Sequence, residues 1–153
     1  REALREALRN NLIDVIGTDH APHLPADKVG GALKAASGIP TIQYVLPAML
    51  ELADRGIITL PEIVEKMAHN PATLYKIEGR GFIRPGYQAD LVLVKPDAPH
   101  TVNAETIVSK CGWSPFEGHT FRWDITHTWV NGHTVYKNGM FDEHIMGQRL
   151  TFA

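Results

Sequence analysis

At 153 residues, 44% of them hydrophobic, the chain has the size and composition of about one globular domain and excludes a disordered one. Its net charge of −2, from 15 basic and 17 acidic residues, gives no electrostatic case for nucleic acid or an anionic membrane as partner. The single cysteine, Cys111, cannot close an internal disulfide, so a reducing, cytoplasmic setting is the default, and no apolar run approaches the ~20 residues of a membrane-spanning helix.

The chain opens in helical register. In Arg1 to Leu8, Leu4 and Leu8 lie one helical step apart, as do Ala3 and Ala7, with no capping residue ahead of them. That start is the basis for expecting a fragment of a longer chain. Ile13-Asp14-Val15-Ile16 follows, a short β-branched run between Asn10-Asn11 and Gly17, and reads as a buried strand.

Asp19, His20 and His23 come directly after it. An acid and two imidazoles at the carboxyl end of a strand can hold a metal or move a proton, and ligands of parallel α/β folds bind at that end. Asp19 suits a metal or a proton from metal-bound water, or it caps a turn. His23 suits a metal, or a contact to an anionic substrate. His20 has no distinct role by this reasoning. The loop over residues 18–38 carries Pro22, Pro25, Gly30, Gly31 and Gly38. Connections of that length are usually functional, and its small residues allow backbone to approach a ligand; a mobile surface loop is the alternative.

Helical spacing predicts a helix from Thr41 to Asp54, kinked or broken near Pro47. Thr59-Leu60-Pro61-Glu62 is a capping box opening a second helix to about Ala68, and Asn70 is the expected cap of a third, Ala72 to Tyr75. At Gly79 the period shifts towards two. Leu91 to Val94 reads as a strand stopped by Pro96. Thr126 to Val130 and His133 to Tyr136 read as a hairpin across Asn131-Gly132, with another turn at Asn138-Gly139. His127 and His133, either side of that turn, are expected to be exposed or paired across the strands. The remaining histidines are scattered and read as structural. In Lys110 to Gly118, the glycines and Pro115 indicate a loop and Trp113 and Phe116 a packed anchor; Cys111 has no basic partner recognisable in sequence.

Gly17-Thr18-Asp19-His20-Ala21-Pro22-His23 resembles the TDHAPH motif of dihydroorotases, which are cyclic amidohydrolases. The resemblance continues collinearly through Ala36-Ser37-Gly38-Ile39-Pro40, Asn70-Pro71-Ala72, Ala89-Asp90-Leu91-Val92 and Lys110 to Gly118. The first and last motifs are specific; the Gly86 to Leu91 stretch is general to the superfamily. The resemblance implies an α/β chain: the C-terminal part of a metal-dependent TIM-like barrel (last strand and closing helices) over residues 1–78, then part of a small β domain over 79–153. It implies reversible hydrolysis of dihydroorotate to N-carbamoyl-L-aspartate in pyrimidine synthesis, with zinc as cofactor, two ions in the complete enzyme.

In that picture Asp19 ligates a metal and serves as general base, then acid. His23 binds the substrate carboxylate, and the Ser37-Gly38 backbone meets the ring. The family's other ligands, including a His-x-His pair, have no counterpart here, so the missing N-terminal part of the same enzyme is an expected partner, a homodimer a further one, and the chain alone is expected to be inactive. The competing readings are a hydantoinase or allantoinase, and a non-catalytic dihydroorotase-like partner of a transcarbamoylase.

Overall fold

A computed structural model describes residues 2–153. Helix α1, Glu2–Arg9, is amphipathic, with Leu8 turned to the core and Leu4 exposed. Helix α2, Val45–Asp54, is followed by a continuous helical rod. That rod comprises α3 (Leu60–Val64), one π-turn over Glu65–His69, and α4 (Asn70–Leu74). The β-rich part contains β1 (Leu91–Lys95), β2 (His100–Thr101), β3 (Thr120–Phe121), β4 (Asp124–Val130), β5 (His133–Lys137) and β6 (Met140–Phe141). An antiparallel sheet runs in the order β1-β4-β5-β6, and β2 pairs with β3 separately. No described helix is long and apolar enough to cross a membrane.

The expected hairpin is present. Asn131 and Gly132 both have positive φ, 52° and 81°, the two left-handed positions of a turn that matches strand twist. Asp90 ties β1 to that turn: Asn131 N–H donates to its carboxylate at 2.8 Å, Gly132 N–H donates to the Ala89 carbonyl at 3.0 Å, and Arg80 bridges Asp90 and Asn131. His127 and His133 are not partners. His127 lies opposite Lys137 and stacks on Trp129, while His133 is exposed opposite Val130. The chain's end returns to the helices, where Glu78 N–H meets the Thr151 carbonyl and Ala153 N–H the Lys76 carbonyl, each at 3.0 Å.

Four sequence expectations change. Ile13 to Ile16 forms no ladder, and its apolar side chains are half-buried rather than buried. Its backbone is held by the helical rod instead: Ile16 N–H donates to the Lys66 carbonyl (3.0 Å), the Lys66 amine to the Ile13 carbonyl (2.6 Å), and the Asn70 amide to the Asp14 carbonyl (2.7 Å). Asn70 therefore caps nothing; it continues a helix and fastens the segment below it. Helix α2 starts at Val45, so Pro47 sits in its first turn, where an amide hydrogen has no intrahelical acceptor, and no break follows. The loop over 18–38 is not structureless: Pro25–Lys28 forms a 3₁₀ turn.

Two packed clusters hold these parts together. Met49, Leu50, Ile58 and Ile63 join α2 to the rod, with Leu8, Ile16 and Trp123 against them. Tyr44, Val102 and Phe121 join the start of α2 to the β2–β3 segment, with Tyr44 and Phe121 stacked at 5.8 Å. Burial pushes the Tyr44 phenol above its ordinary pKa, and its hydroxyl donates to the Thr106 carbonyl at 3.4 Å.

Lys66 is fully buried, and its amine also donates to the Asn11 side-chain oxygen at 2.6 Å. Lys66→Met would keep the packing stem and orphan both acceptors. The expected loss is about 1–3 kcal/mol in denaturant unfolding, against little change for an exposed lysine such as Lys137.

The predicted capping box at Thr59 and Glu62 is formed in both directions. Hydrogen bonds from the Thr59 hydroxyl and then its backbone N–H hold the Glu62 carboxyl below its ordinary pKa. A lowered folded-state pKa stabilises at pH above the unfolded glutamate value, and that contribution fades as pH falls through the folded value. Thr59→Ala should therefore cost about 1 kcal/mol at neutral pH. The gap between variant and parent unfolding midpoints should narrow as the pH drops below the ordinary glutamate range.

Candidate active site

The stretch Thr18 to His23 leaves the rod-held segment and turns sharply. Thr18 organises the turn: its hydroxyl accepts from His20 N–H at 3.3 Å, and its carbonyl accepts from the Thr41 hydroxyl at 2.7 Å. His20 bridges to Ile39 in parallel register, and its Nδ1 accepts from Ile42 N–H at 3.3 Å. Sequence reasoning gave His20 no distinct role. In the structure it joins the Asp19 turn to the start of the next element, and its Nδ1 is engaged there.

Asp19 lies between these two anchored residues, with φ 43°. A non-glycine residue in the left-handed region is uncommon, aspartate less so than most. Among the described residues the alternative role of Asp19 as a turn cap finds no partner: the side-chain bonds of this loop are made by Thr18, His20, Asp27, Lys28 and Thr41. Its carboxylate is left exposed at the end of a braced segment.

His23 is half-buried. Its N–H closes a tight turn onto the Ala21 carbonyl (2.9 Å), and its carbonyl accepts the Trp113 indole N–H (2.8 Å). Trp113 was expected to be a packed anchor. The particular partner, ninety residues away in sequence, could not be read there. Phe116 from the same loop packs edge-on to Tyr44 at 6.0 Å, so the loop is seated on the second core cluster.

Ser37 is exposed and Gly38 half-buried, close to the Asp19 turn. Ala21 N–H donates to the Ile39 carbonyl at 3.0 Å, and a Cβ on Gly38 would lie 2.5 Å from the Ala21 Cβ. With φ 94° as well, the position requires glycine on both counts. The fold therefore brings Asp19, His23 and Ser37-Gly38 into one loop system. Lys28, which sequence reasoning passed over, also belongs to it: its amine donates to the carbonyls of Ala36 and of Gly38 (2.8 Å). A lysine in a loop rich in proline and glycine carries no sequence signal of such a role.

Cys111 is buried, with its sulfur 3.2 Å from the Ser109 hydroxyl and 3.6 Å from the Trp113 carbonyl oxygen, which is a packing role. His69 stacks on Phe82, and His119 pairs with Glu51 at 3.0 Å across α2. Among the described residues no three histidine, cysteine or acidic side chains gather as a metal site. Of this loop's two acidic side chains, Asp27 is bonded to Leu24 N–H, whereas Asp19 has an exposed carboxylate with no hydrogen-bond partner among the described residues, free to serve as one metal ligand.

Residues 1–135 match the model of the Amidohydrolase family. The dihydroorotase of Halobacterium salinarum is 41% identical over 136 residues, covering 89% of this chain and 32% of the relative. That of Pyrococcus furiosus is 36% identical over 146 residues, covering 94% and 33%. The chain thus spans about a third of the length of the curated relatives it matches. Among solved structures, the L-hydantoinase of Arthrobacter aurescens superposes with TM-score 0.87 at 32% identity, covering 97% of this chain and 34% of that one. A D-hydantoinase from Thermus sp. gives 0.85 at 26%, covering 92% and 32%. Helices followed by an antiparallel sheet, in the arrangement of these neighbours, are the expected α/β part of a TIM-like barrel enzyme with a small β domain. By its sequence and by its fold, the chain belongs to the amidohydrolase family.

Proposed function

We propose that this chain is the C-terminal third of a dihydroorotase, with residues 1–78 belonging to the barrel and 79–153 to the small β domain. The observation that carries this reading is the loop system itself. The Thr18 to His23 motif presents an exposed Asp19 carboxylate with no hydrogen-bond partner among the described residues, and Gly38 fits against Ala21 of the same motif, which supports the reading. The identity of 41% to a dihydroorotase supports the same substrate class.

The reaction is reversible hydrolysis of the cyclic amide of dihydroorotate to N-carbamoyl-L-aspartate, in cytoplasmic pyrimidine synthesis. The oxygen of water bonds to the ring carbonyl carbon, and the carbon–nitrogen bond breaks. Asp19 takes a proton from the attacking water and returns one to the leaving nitrogen, roles that one carboxylate can fill in sequence. His23 meets the substrate carboxylate, and the backbone at Ser37-Gly38 lies along the ring. Zinc, when bound, would polarise the carbonyl and acidify the water, and Asp19 is this chain's single contribution to its ligands. The remaining ligands belong to the upstream part of the enzyme.

The hydantoinase reading keeps one specific support, the superposition on L-hydantoinase. Turnover of dihydroorotate against hydantoin by the intact enzyme separates the two. In that enzyme Asp19→Asn should lower kcat by about 10² or more with substrate affinity retained. His23→Ala should act mainly on the apparent affinity for dihydroorotate, raising KM about tenfold while kcat changes less. Steady-state kinetics of both variants check the assignment; near-normal turnover by the asparagine variant would remove Asp19 from proton transfer.

A further inference from the structure

We infer that Lys28 is a positioning residue for substrate binding, one that fixes the Ser37-Gly38 backbone and joins it to the support of His23. This rests on the assignment of Ser37-Gly38 and His23 as substrate contacts. Lys28 closes the 3₁₀ turn Pro25–Lys28, and its amine reaches across the loop to the carbonyls of Ala36 and Gly38, the two residues that flank Ser37. One cation gripping carbonyls on both sides of a residue restricts that residue's backbone from both ends.

A main-chain tie runs alongside, from Ala36 N–H to the Asp27 carbonyl at 2.9 Å. Asp27 in turn caps the turn through its carboxylate, which accepts Leu24 N–H at 3.1 Å. The rest of the loop offers little resistance to motion. Gly30, Gly31 and Gly38 all have positive φ, and Val29 and Leu33 are exposed rather than packed. Without Lys28, the segment Ala35 to Gly38 keeps the amide bonds of Ala35 to the Gly31 carbonyl and of Ala36 to the Asp27 carbonyl, each 2.9 Å, and the packing of Gly38 on Ala21, but loses the hold on the carbonyls either side of Ser37.

The second half of the argument runs through Trp113. The Lys28 amine lies 5.9 Å from the centre of the Trp113 ring, at the outer reach of a cation–π contact. The indole N–H of the same ring is the donor to the His23 carbonyl. Lys28 and Trp113 therefore form a bracket, with Ser37-Gly38 on one arm and His23 on the other. No carboxylate pairs with Lys28 among the described residues; its partners are carbonyl oxygens and a ring face. The bracket also draws on two distant parts of the chain, since Trp113 arrives on the loop seated against Tyr44 and Phe121.

The test uses the intact enzyme with Lys28→Met, which keeps the apolar stem and removes the donor, and Lys28→Arg, whose guanidinium can again serve two carbonyls. K28M should raise KM for dihydroorotate about tenfold, with kcat changed less than about threefold, and K28R should recover most of that loss. Trp113→Phe, which deletes only the indole donor and part of the ring, should raise KM in the same direction. Amide hydrogen exchange supplies a readout independent of the substrate. In K28M the Ala35 and Ala36 amides should exchange about tenfold faster, while those of α2 and the β4–β5 hairpin keep their protection.

Should K28M not fold, Lys28→Gln, with a shorter amide donor, carries the same expectations. A purely structural lysine would lower the melting temperature and leave KM of the folded enzyme intact; that result overturns the proposal, as does a loss confined to kcat. If the parent enzyme does not turn over dihydroorotate, the dihydroorotase reading falls. The exchange measurement then decides the bracket alone, and unchanged Ala35 and Ala36 amides would overturn it.

Discussion

A backbone segment that lacks a ladder must still satisfy its polar groups, and in this chain that requirement governs where Asp19 stands. Ile13 to Ile16 has no strand beside it among the described residues, and the rod of α3 and α4 supplies the partners. The π-turn over Glu65–His69 matters here, because a widened turn leaves carbonyls free of the usual helical pairing. The Lys66 carbonyl accepts Ile16 N–H while the same residue's side chain, fully buried, reaches back to Ile13 and Asn11. Burying an amine is expensive unless its donors are used, and here two of them are. The segment is thereby fixed at both its ends before it enters the Thr18 turn.

The second constraint is the seat of the loop that contains Trp113. Tyr44, at the threshold of α2, is packed with Val102 and Phe121, and Gln43 binds the same region through the Thr106 carbonyl (2.7 Å) and Val108 N–H (3.0 Å). Further along α2, Glu51 pairs with His119 and Asp54 accepts the Trp123 indole N–H at 2.9 Å. Helix α2 and the two residues ahead of it therefore carry a row of polar contacts to residues 106–123 beside the apolar face of the helix. The geometry of His23 depends on this row, since Trp113 meets it only when the loop is docked. Helix packing and site geometry are in this sense one problem.

The local features legible in the sequence were those with short-range causes. The capping box at Thr59 and Glu62 and the Asn131-Gly132 turn each follow from a few adjacent residues, and both are present. Gly38 reads in the sequence as a place where backbone meets a ligand; what its missing side chain admits in the structure is Ala21. Misreadings fall where a local signal had a tertiary competitor. Asn70 looks like a cap because asparagine is good at capping, yet a carbonyl on another segment takes its amide. Pro47 looks like a breaker only if the helix begins at Thr41; the residues from Thr41 to Tyr44 are engaged with Thr18, His20 and Thr106, and the helix starts after them.

The sequence by itself determined the family and the division into helical and β-rich parts. Those depend on residue identity and spacing along the chain, which folding does not alter. Only the tertiary structure decided which groups brace the site. Lys28 on the Ala36 and Gly38 carbonyls, Trp113 on the His23 carbonyl and Lys66 beneath Ile13 are bonds to main-chain oxygen. Every residue but proline offers the same backbone donor and acceptor, so the sequence of the acceptor says nothing about who will reach it. Distance in the folded chain selects the partner, and that distance is a property of the packing of α2, the rod and the loops around them.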